Sequence, residues 1–349
     1  MKKRLILLQL ICIFFLIIFI SVYSEGITKE DCFYLKSLHY TTRGMEYWYS
    51  KENGGIEILT NIPYSNLSCR KCHVKSCDTC HKTSEEDKSF YTAKAAKNQD
   101  ICLKCHKREV LIMKIDKEKN QQDVHFAKNM KCYDCHTARD IHGDGIEYNS
   151  MKQNGAIEAK CENCHKTLPQ TTSHKVHGNK LDCKACHERQ VATCYNCHME
   201  TDIKEGKRVS IPVSGWLFLM NHEGKVTSAN MQSFVVKENK TFIIFAPQHS
   251  HSIMKEGRKC KDCHDTEVLR EIQQGTLKLT WLGEKEMVKN IQGVIPVVEG
   301  VKYEGVYFDY KNDKWIPINN PEKPLIQFSG YGKPLTKEQL NKMKQSMIK

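Results

Sequence analysis

The chain has 349 residues and a formal net charge of +12 at pH 7, and 40% of its residues are hydrophobic. The basic residues are scattered, and no block of like charge is long enough to form a nucleic-acid-binding face. The 18 cysteines would suggest a disulfide-rich extracellular scaffold, but their spacing indicates a different use.

Residues 1–24 are typical of a secretory signal peptide. The basic residues Lys2, Lys3 and Arg4 precede an apolar run from Leu5 to Ile20, and cleavage is expected after Ser24. Because the run approaches the roughly 20 residues that span a bilayer, an uncleaved membrane anchor is the alternative. Either form predicts an exported protein, which is periplasmic, anchored facing the periplasm, or at the cell surface.

Residues 25–65 form an N-terminal segment that contains His39. A short helix is expected from about Thr28 to Tyr49, before the turn residues Gly54, Gly55 and Pro63.

The stretch 66–200 contains seven copies of the motif C-x-x-C-H, and an eighth lies in 249–271. Two cysteines at this spacing can each bind one vinyl group of a porphyrin, and the following histidine then becomes the proximal ligand of the iron. The sequence therefore predicts eight covalently bound haems c. The predicted attachment cysteines are Cys69, Cys72, Cys77, Cys80, Cys102, Cys105, Cys132, Cys135, Cys161, Cys164, Cys183, Cys186, Cys194, Cys197, Cys260 and Cys263. The predicted proximal ligands are His73, His81, His106, His136, His165, His187, His198 and His264.

Zinc knuckles and redox dithiols also use paired cysteines, but neither needs a histidine directly after the second cysteine. Only Cys12 and Cys32 lie outside the motifs. Without the leader the chain has 50 basic and 41 acidic residues, a formal charge of +9. Eight haems would add propionates with a charge of roughly −16. A nucleic-acid partner is therefore not expected.

Seven motifs fill the 130 residues from Cys69 to His198, so ordinary secondary structure has little room there. We therefore expect a mainly irregular or α-helical multihaem cytochrome core, a heptahaem unit with short helices in which the haems replace an apolar core. Spacing along the chain predicts that the first and second haems are neighbours, as are the sixth and seventh.

A small β-meander insertion is expected at 201–248, followed by the eighth haem segment at 249–271. Residues 272–349 lack cysteine and histidine and read as a mixed β/α tail with a final helix from Thr336. We expect this tail to serve as cover or as a partner surface.

Eight histidines lie outside the motifs, as many as eight bis-histidine irons would need. Four of them precede three of the motifs by six to eleven residues, which leaves the leading histidine free to ligate a different haem from the one that follows it; they are His125, His177, His249 and His251. His142 is alternatively part of a surface turn or a weak cation site, and one member of each close pair could serve only as a hydrogen-bonding residue. The candidate distal ligands are His39, His125, His142, His174, His177, His249 and His251, with His222, which lies in a turn, as the least certain.

From residue 69 to 264 the chain resembles the exported multihaem cytochromes c of anaerobic respiratory bacteria and archaea. Its eight motifs are also similar to those of octahaem oxidoreductases such as hydroxylamine oxidoreductase and octahaem tetrathionate reductase. Every motif of this chain ends in histidine. The apolar N-terminus followed by haems resembles membrane-anchored quinol-oxidising cytochromes. Some multihaem cytochromes polymerise through a histidine that ligates a haem of the next subunit, and His39 is the candidate for that role.

An iron with two imidazole ligands is closed to substrate and suited to electron transfer. The sequence therefore predicts an electron carrier of anaerobic respiration or extracellular electron transfer, rather than a catalyst. Its expected partners are redox proteins or quinol-linked membrane cytochromes. One alternative is an octahaem oxidoreductase of hydroxylamine, nitrite or tetrathionate with one open iron, and another is a filament-forming or otherwise homo-oligomeric cytochrome.

Overall fold

The computed structural model describes residues 33–85 and 88–345. The described residues are 35% helical and 25% strand, and they form a mixed α/β fold with 13 short helices and a seven-stranded sheet. The expected mainly irregular or helical haem-packed core is therefore wrong. The reason is physical: the apolar residues after 190 lie on strands that bury a core of their own.

The helices are short, and several coincide with the motifs. They are α1 Arg43–Tyr49, α2 Glu57–Thr60, α3 Asp78–His81, α4 Ala93–Ala96, α5 Gln99–Leu103, α6 Lys107–Glu118, α7 Cys132–Cys135, α8 Ala138–His142, α9 Thr172–His177, α10 Cys183–His187, α11 Met199–Glu205, α12 Glu267–Gln273 and α13 Lys337–Lys344.

The strands lie mainly after residue 190. They are β1 Lys82–Glu85, β2 Lys88–Tyr91, β3 Val191–Tyr195, β4 Cys197–His198, β5 Ile211–His222, β6 Lys225–Val235, β7 Thr241–Pro247, β8 Thr276–Lys278, β9 Thr280–Leu282, β10 Val288–Asn290, β11 Gly293–Pro296, β12 Lys302–Glu304, β13 Phe308–Lys311, β14 Lys314–Pro317 and β15 Leu325–Phe328.

The main sheet has the order β11-β5-β6-β7-β15. β5, β6 and β7 form the expected antiparallel meander, but they are the centre of the sheet rather than a small insertion. The tail is part of the same sheet, since β11 pairs parallel with β5 and β15 pairs parallel with β7. β3 pairs with the first half of β5 and β4 with the end of β6, so both lie where β5 and β6 separate.

Alternation along β6 gives the sheet two different faces. Ala229 and Met231 belong to the apolar core, whereas Ser228 and Asn230 are buried among polar groups. The Ser228 hydroxyl donates to the Glu188 carboxylate at 2.7 Å, directly after the sixth motif. The polar face of the sheet thus holds the motif-bearing segments.

The apolar core is concentrated in the sheet and in the tail that packs on it. Trp216, Leu217, Phe218 and Met220 of β5 are fully buried with residues of α12, α13 and β8. Between residues 69 and 180, by contrast, the buried apolar residues within the described range are Ile112, Tyr148 and Ala156.

A buried ion pair ties the helix after the third motif to the segment after the sixth. Asp116 of α6 is 1% exposed; it lies 3.1 Å from the Arg189 guanidinium and accepts a hydrogen bond from Gln190 at 2.8 Å. Arg189 also donates to the Ser252 hydroxyl at 3.0 Å. Three segments distant in sequence are fixed by this contact.

Within residues 33–85 and 88–345, no helix is long and apolar enough to cross a membrane. The leader or anchor expected at 1–24 lies outside the described residues.

Leu217→Ala should lower the free energy of unfolding by about 2–5 kcal/mol, because it opens a cavity in the core of the sheet. Leu325→Ala is the matched control: it lies in the same sheet but is 45% exposed, and should cost less than about 1 kcal/mol. Urea unfolding followed by far-UV circular dichroism measures both. Equal decreases in the free energy of unfolding for the two variants would mean that Leu217 is not part of the core.

Arg189→Met should cost about 2–4 kcal/mol, because it leaves the buried Asp116 carboxylate with too few partners. Lys114→Met is the control: Lys114 forms an exposed pair with Glu118 on the same helix, and its loss should change stability by less than about 0.5 kcal/mol. The same urea titration compares them, and an Arg189 variant as stable as the Lys114 variant would contradict the assigned role of Asp116.

Candidate functional site

Seven of the motifs each begin in or beside a short helical turn of their own. The histidine N–H donates to the carbonyl of the first motif cysteine at 2.9 Å in the second and fifth motifs and at 3.0 Å in the third and fourth. Residues three and four apart in such a turn share one face. The local backbone therefore places both thiols and the histidine of a motif on the same side, as attachment of one porphyrin requires.

Six of the motif histidines face a histidine from outside the motifs. The imidazole centroids of each pair are 5.8 to 6.3 Å apart. The pairs are His81 with His142, His106 with His39, His136 with His251, His165 with His125, His187 with His174, and His264 with His177.

This separation suits two imidazoles on opposite faces of one iron. With metal–nitrogen bonds of about 2 Å, the ring centroids of two trans ligands lie about 6 Å apart. Ordinary aromatic contacts cover a wider range of about 4.5–7 Å, so the distance alone does not decide between the two interpretations. The orientation of the rings adds the second observation.

Many of the paired rings are held through Nδ1, which leaves Nε2 available. Nδ1 of His136 lies 3.1 Å from the Asp140 carboxylate, and Nδ1 of His251 lies 2.6 Å from the Glu109 carboxylate. Metal-binding histidines are typically oriented in this way by a carboxylate or carbonyl on the other nitrogen. The remaining Nδ1 contacts are His81 with the Thr92 carbonyl, His125 with Asp123, His174 with the Thr171 hydroxyl, His177 with the Ser173 carbonyl and His187 with the Met254 carbonyl.

Burial favours the neutral form of three of the paired imidazoles. Burial, with the neighbouring His106, lowers the pKa of His39 to about 4. Burial also lowers the pKa of His106 and of His264. A neutral imidazole is the form that binds a metal.

The pairing crosses between motifs. His125, His177 and His251 each precede a motif in the sequence, yet each faces the histidine of a different one: the fifth, the eighth and the fourth motif, respectively. His142 ends α8 and faces His81 rather than lying in a surface turn. His39 faces His106 of the same chain.

The two other candidates, His222 and His249, do not face a motif histidine. Nε2 of His222 lies 2.8 Å from the Lys152 carbonyl, and Nδ1 of His249 lies 3.2 Å from the Ser228 hydroxyl. Burial and the nearby lysines Lys152 and Lys184 lower the pKa of His249 well below its usual value.

His73 of the first motif and His198 of the seventh have no second imidazole at comparable distance within the described residues. Burial lowers the pKa of His73, although the Thr41 and Leu38 carbonyls oppose that shift. His198 is buried, and both of its ring nitrogens have partners, Thr201 at 2.8 Å and Asp309 at 2.9 Å.

The motif thiols form a connected series. Burial, with the adjacent Cys102 thiol, raises the pKa of Cys132 to about 11. Three pairs of thiols from different motifs are within hydrogen-bonding reach: Cys72 with Cys105 (first and third motifs), Cys102 with Cys132 (third and fourth) and Cys161 with Cys183 (fifth and sixth). Other thiols lie close enough to raise the pKa of a neighbour: Cys69 acts on Cys197 (first and seventh motifs), Cys102 and Cys105 on Cys80 (third and second), Cys164 on Cys135 (fifth and fourth) and Cys186 on Cys263 (sixth and eighth).

This order of thiols is not the order of the motifs along the chain. The thiols of the second motif lie near those of the third, and Cys197 of the seventh lies near Cys69 of the first. The haem neighbours expected from chain spacing stay a prediction. The sequence also did not point to Glu109, Asp123 or Asp309 as partners of the histidines. Asp140 could have been found, since it follows His136 by four residues in a helical segment.

Within the described residues, no group of three or more histidine, cysteine, aspartate or glutamate side chains is arranged to hold a metal ion. A porphyrin iron takes only two ligands from the protein, because the macrocycle supplies the rest. The six imidazole pairs, each beside a C-x-x-C pair, therefore fit a haem iron and not a bare ion. No family model, curated protein or solved structure matches the chain.

Proposed function

We propose that this protein is an exported cytochrome that relays electrons through haems attached to its C-x-x-C-H motifs. The observation that carries the proposal is the set of six imidazole pairs, in which each motif histidine faces a histidine from outside the motifs. A histidine without a metal-binding role has no reason to be repeated in this arrangement.

In this proposal the motif cysteines would hold the haems covalently, and the two histidines of each pair would bind the iron. A bound haem would supply one-electron redox chemistry. With both imidazoles supplied by the chain at the second to sixth and eighth motifs, substrates would have no access to the iron there. The Nδ1 contacts keep the imidazole planes fixed, which limits the rearrangement that accompanies a change of oxidation state.

Two carboxylates would adjust the ligands electronically. Glu109 faces Nδ1 of His251, and Asp140 faces Nδ1 of His136, so both ligands of the fourth site receive a carboxylate. A carboxylate makes an imidazole a stronger donor and favours the ferric state. The fourth site should therefore be among the sites of lowest potential.

The series of neighbouring thiols supports a continuous relay. It runs from the seventh motif through the first, third, fourth, fifth and sixth to the eighth, with the second beside the third. The second, fourth, fifth and eighth motifs each have an exposed cysteine, namely Cys77, Cys135, Cys164 and Cys260. Among these four, the second and eighth motifs lie at the ends of the series, so they are the proposed places where redox partner proteins or quinol-linked cytochromes exchange electrons with the relay.

His251→Ala should convert one low-spin iron to a high-spin iron that binds carbon monoxide after reduction, because it removes the imidazole opposite His136. A cleft of about 250 Å³ lined by Met113, Phe126 and His251 would admit the ligand. Electron paramagnetic resonance of the oxidised protein and the carbon monoxide difference spectrum measure the change.

His222→Ala is the matched control, since its Nε2 contacts a backbone carbonyl rather than facing a motif histidine. It should leave both spectra unchanged. The proposed ligand assignment is wrong if the His251 variant keeps the wild-type spectra, or if the His222 variant gains the same high-spin signal.

Glu109→Gln should raise the midpoint potential of one haem by on the order of tens of millivolts, because it removes the negative charge 2.6 Å from Nδ1 of His251. Glu118→Gln, on the same helix but exposed and paired only with Lys114, should leave all potentials unchanged. Spectroelectrochemical titration of both variants provides the comparison, and identical titration curves would argue against a Glu109–ligand contact.

A further inference from the structure

The seventh motif differs from the others in its backbone. Cys194 lies on β3, whereas Cys197 and His198 form β4, which pairs with β6. Between the two strands, Asn196 has a φ of 53°, in the left-handed region. In the second, third, fourth, fifth and eighth motifs the histidine N–H donates to the carbonyl of the first motif cysteine, but the His198 N–H donates to the Val209 carbonyl at 3.1 Å. The thiols and the histidine of this motif are therefore not gathered on one face of a helical turn, as attachment of one porphyrin requires.

The His198 ring carries its proton on the nitrogen that would have to bind iron. The Asp309 carboxylate lies 2.9 Å from Nε2 and can only accept, so Nε2 is the donor. Nδ1 accepts, because the Thr201 backbone N–H is directed at it at 3.4 Å and the Thr201 hydroxyl lies 2.8 Å away. His81 and His136 show the reverse arrangement, in which Nδ1 faces a carbonyl or a carboxylate and the Nε2 lone pair is left for a metal.

The space beside Nε2 of His198 is filled by the tail. A ligating nitrogen lies about 2 Å from its metal, but Nε2 is only 2.9 Å from Oδ1 of Asp309. The carboxylate thus occupies the position that an iron would need. The Tyr310 ring centroid is 6.3 Å from that of His198, and His198 is 5% exposed. The β13–β14 hairpin therefore covers the side on which the paired sites have a second imidazole.

The two residues between the motif cysteines bind the same part of the tail. Asn196, which is fully buried, donates through Nδ2 to the Phe308 carbonyl at 2.9 Å and accepts from the Phe308 N–H at 2.8 Å. The Tyr195 hydroxyl donates to the Val306 carbonyl at 2.6 Å. Together with the histidine–carboxylate contact, these bonds hold the tail to the motif at four points. Displacing the hairpin to admit a haem would leave several buried polar groups without partners.

We propose that the seventh motif binds no haem and is instead a structural joint, in which the residues from Tyr195 to His198 hold the β13–β14 hairpin on the main sheet. The thiols of Cys194 and Cys197 then remain unattached, and the chain carries seven haems rather than the eight that its motif count predicts. The inference rests on the proposed function, because it assumes haem at the other seven motifs. Since the seventh motif lies at one end of the series of neighbouring thiols, its exclusion shortens the relay without interrupting it.

The experiment uses the intact holoprotein, produced in cells that attach haem c. Its mass under denaturing conditions gives the number of covalently bound haems. Reduction and alkylation of the unfolded protein with iodoacetamide, followed by peptide mapping, then identifies the free thiols. We expect seven haems, with Cys194 and Cys197 as the alkylated motif cysteines.

A pair of double variants tests the same assignment. Cys194→Ala with Cys197→Ala should leave seven haems, because neither thiol holds a porphyrin. Cys183→Ala with Cys186→Ala is the matched control in the sixth motif, which forms a helical turn, and should reduce the number to six. The wild-type mass and peptide map decide the question if either double variant fails to fold.

The structural role has its own measurement. Asp309→Ala should lower the urea concentration at the midpoint of unfolding and leave the number of haems at seven, because it removes the acceptor of the His198 ring. Asp313→Asn is the control: it removes a charge from the same hairpin at an exposed residue that contacts Lys207, and it should change neither quantity.

Eight haems, or a haem on the peptide that contains Cys194 and Cys197, would overturn the inference while the relay through the six paired sites would stand. An Asp309 variant as stable as the Asp313 variant would overturn the role as a joint. A protein without covalent haem would overturn the proposed function as well.

Discussion

In each pair, two imidazoles face each other with their ring centroids about 6 Å apart, and the rest of the structure depends on this constraint. Five of the six pairs join residues at least 40 positions apart in the sequence, so the fold has to fix two separate backbones and two ring orientations. Nδ1 contacts provide the orientation, through carbonyls at His81 and His187 and through carboxylates at His136 and His251. Because these contacts occupy Nδ1, the Nε2 atoms remain available to bind a metal between the two imidazoles.

The scaffold that holds the backbones is the sheet with its polar cross-ties, and not the motif segments alone. Glu109, which orients His251, lies on the same helix as Asp116, which binds Arg189 and Gln190. Ser228 and Asn230 on the polar face of β6 then connect this region to the core of the sheet. A disturbance of the sheet would therefore reach the imidazole pairs through a few buried hydrogen bonds.

The sequence predicted local elements better than the architecture. Local spacing is sufficient to find a C-x-x-C-H turn, the β5–β7 meander with its turn at Glu223 and Gly224, and the helix capped by Thr336, since each depends on neighbouring residues. The extent of the sheet was missed because β11 and β15 join it through parallel pairing over long separations, which no local pattern records. For the same reason the sequence supplied the candidate histidines but neither the partner of each nor the order of the motifs.

The most direct test of the account is the arrangement of irons in the mature holoprotein, located by anomalous scattering at the iron edge. The account predicts seven irons, six of them with two imidazole nitrogens from the pairs described, in the order first, third, fourth, fifth, sixth and eighth, with the second beside the third. Irons that follow the order of the motifs in the chain, or that take His222 and His249 as ligands in place of the paired histidines, would contradict it.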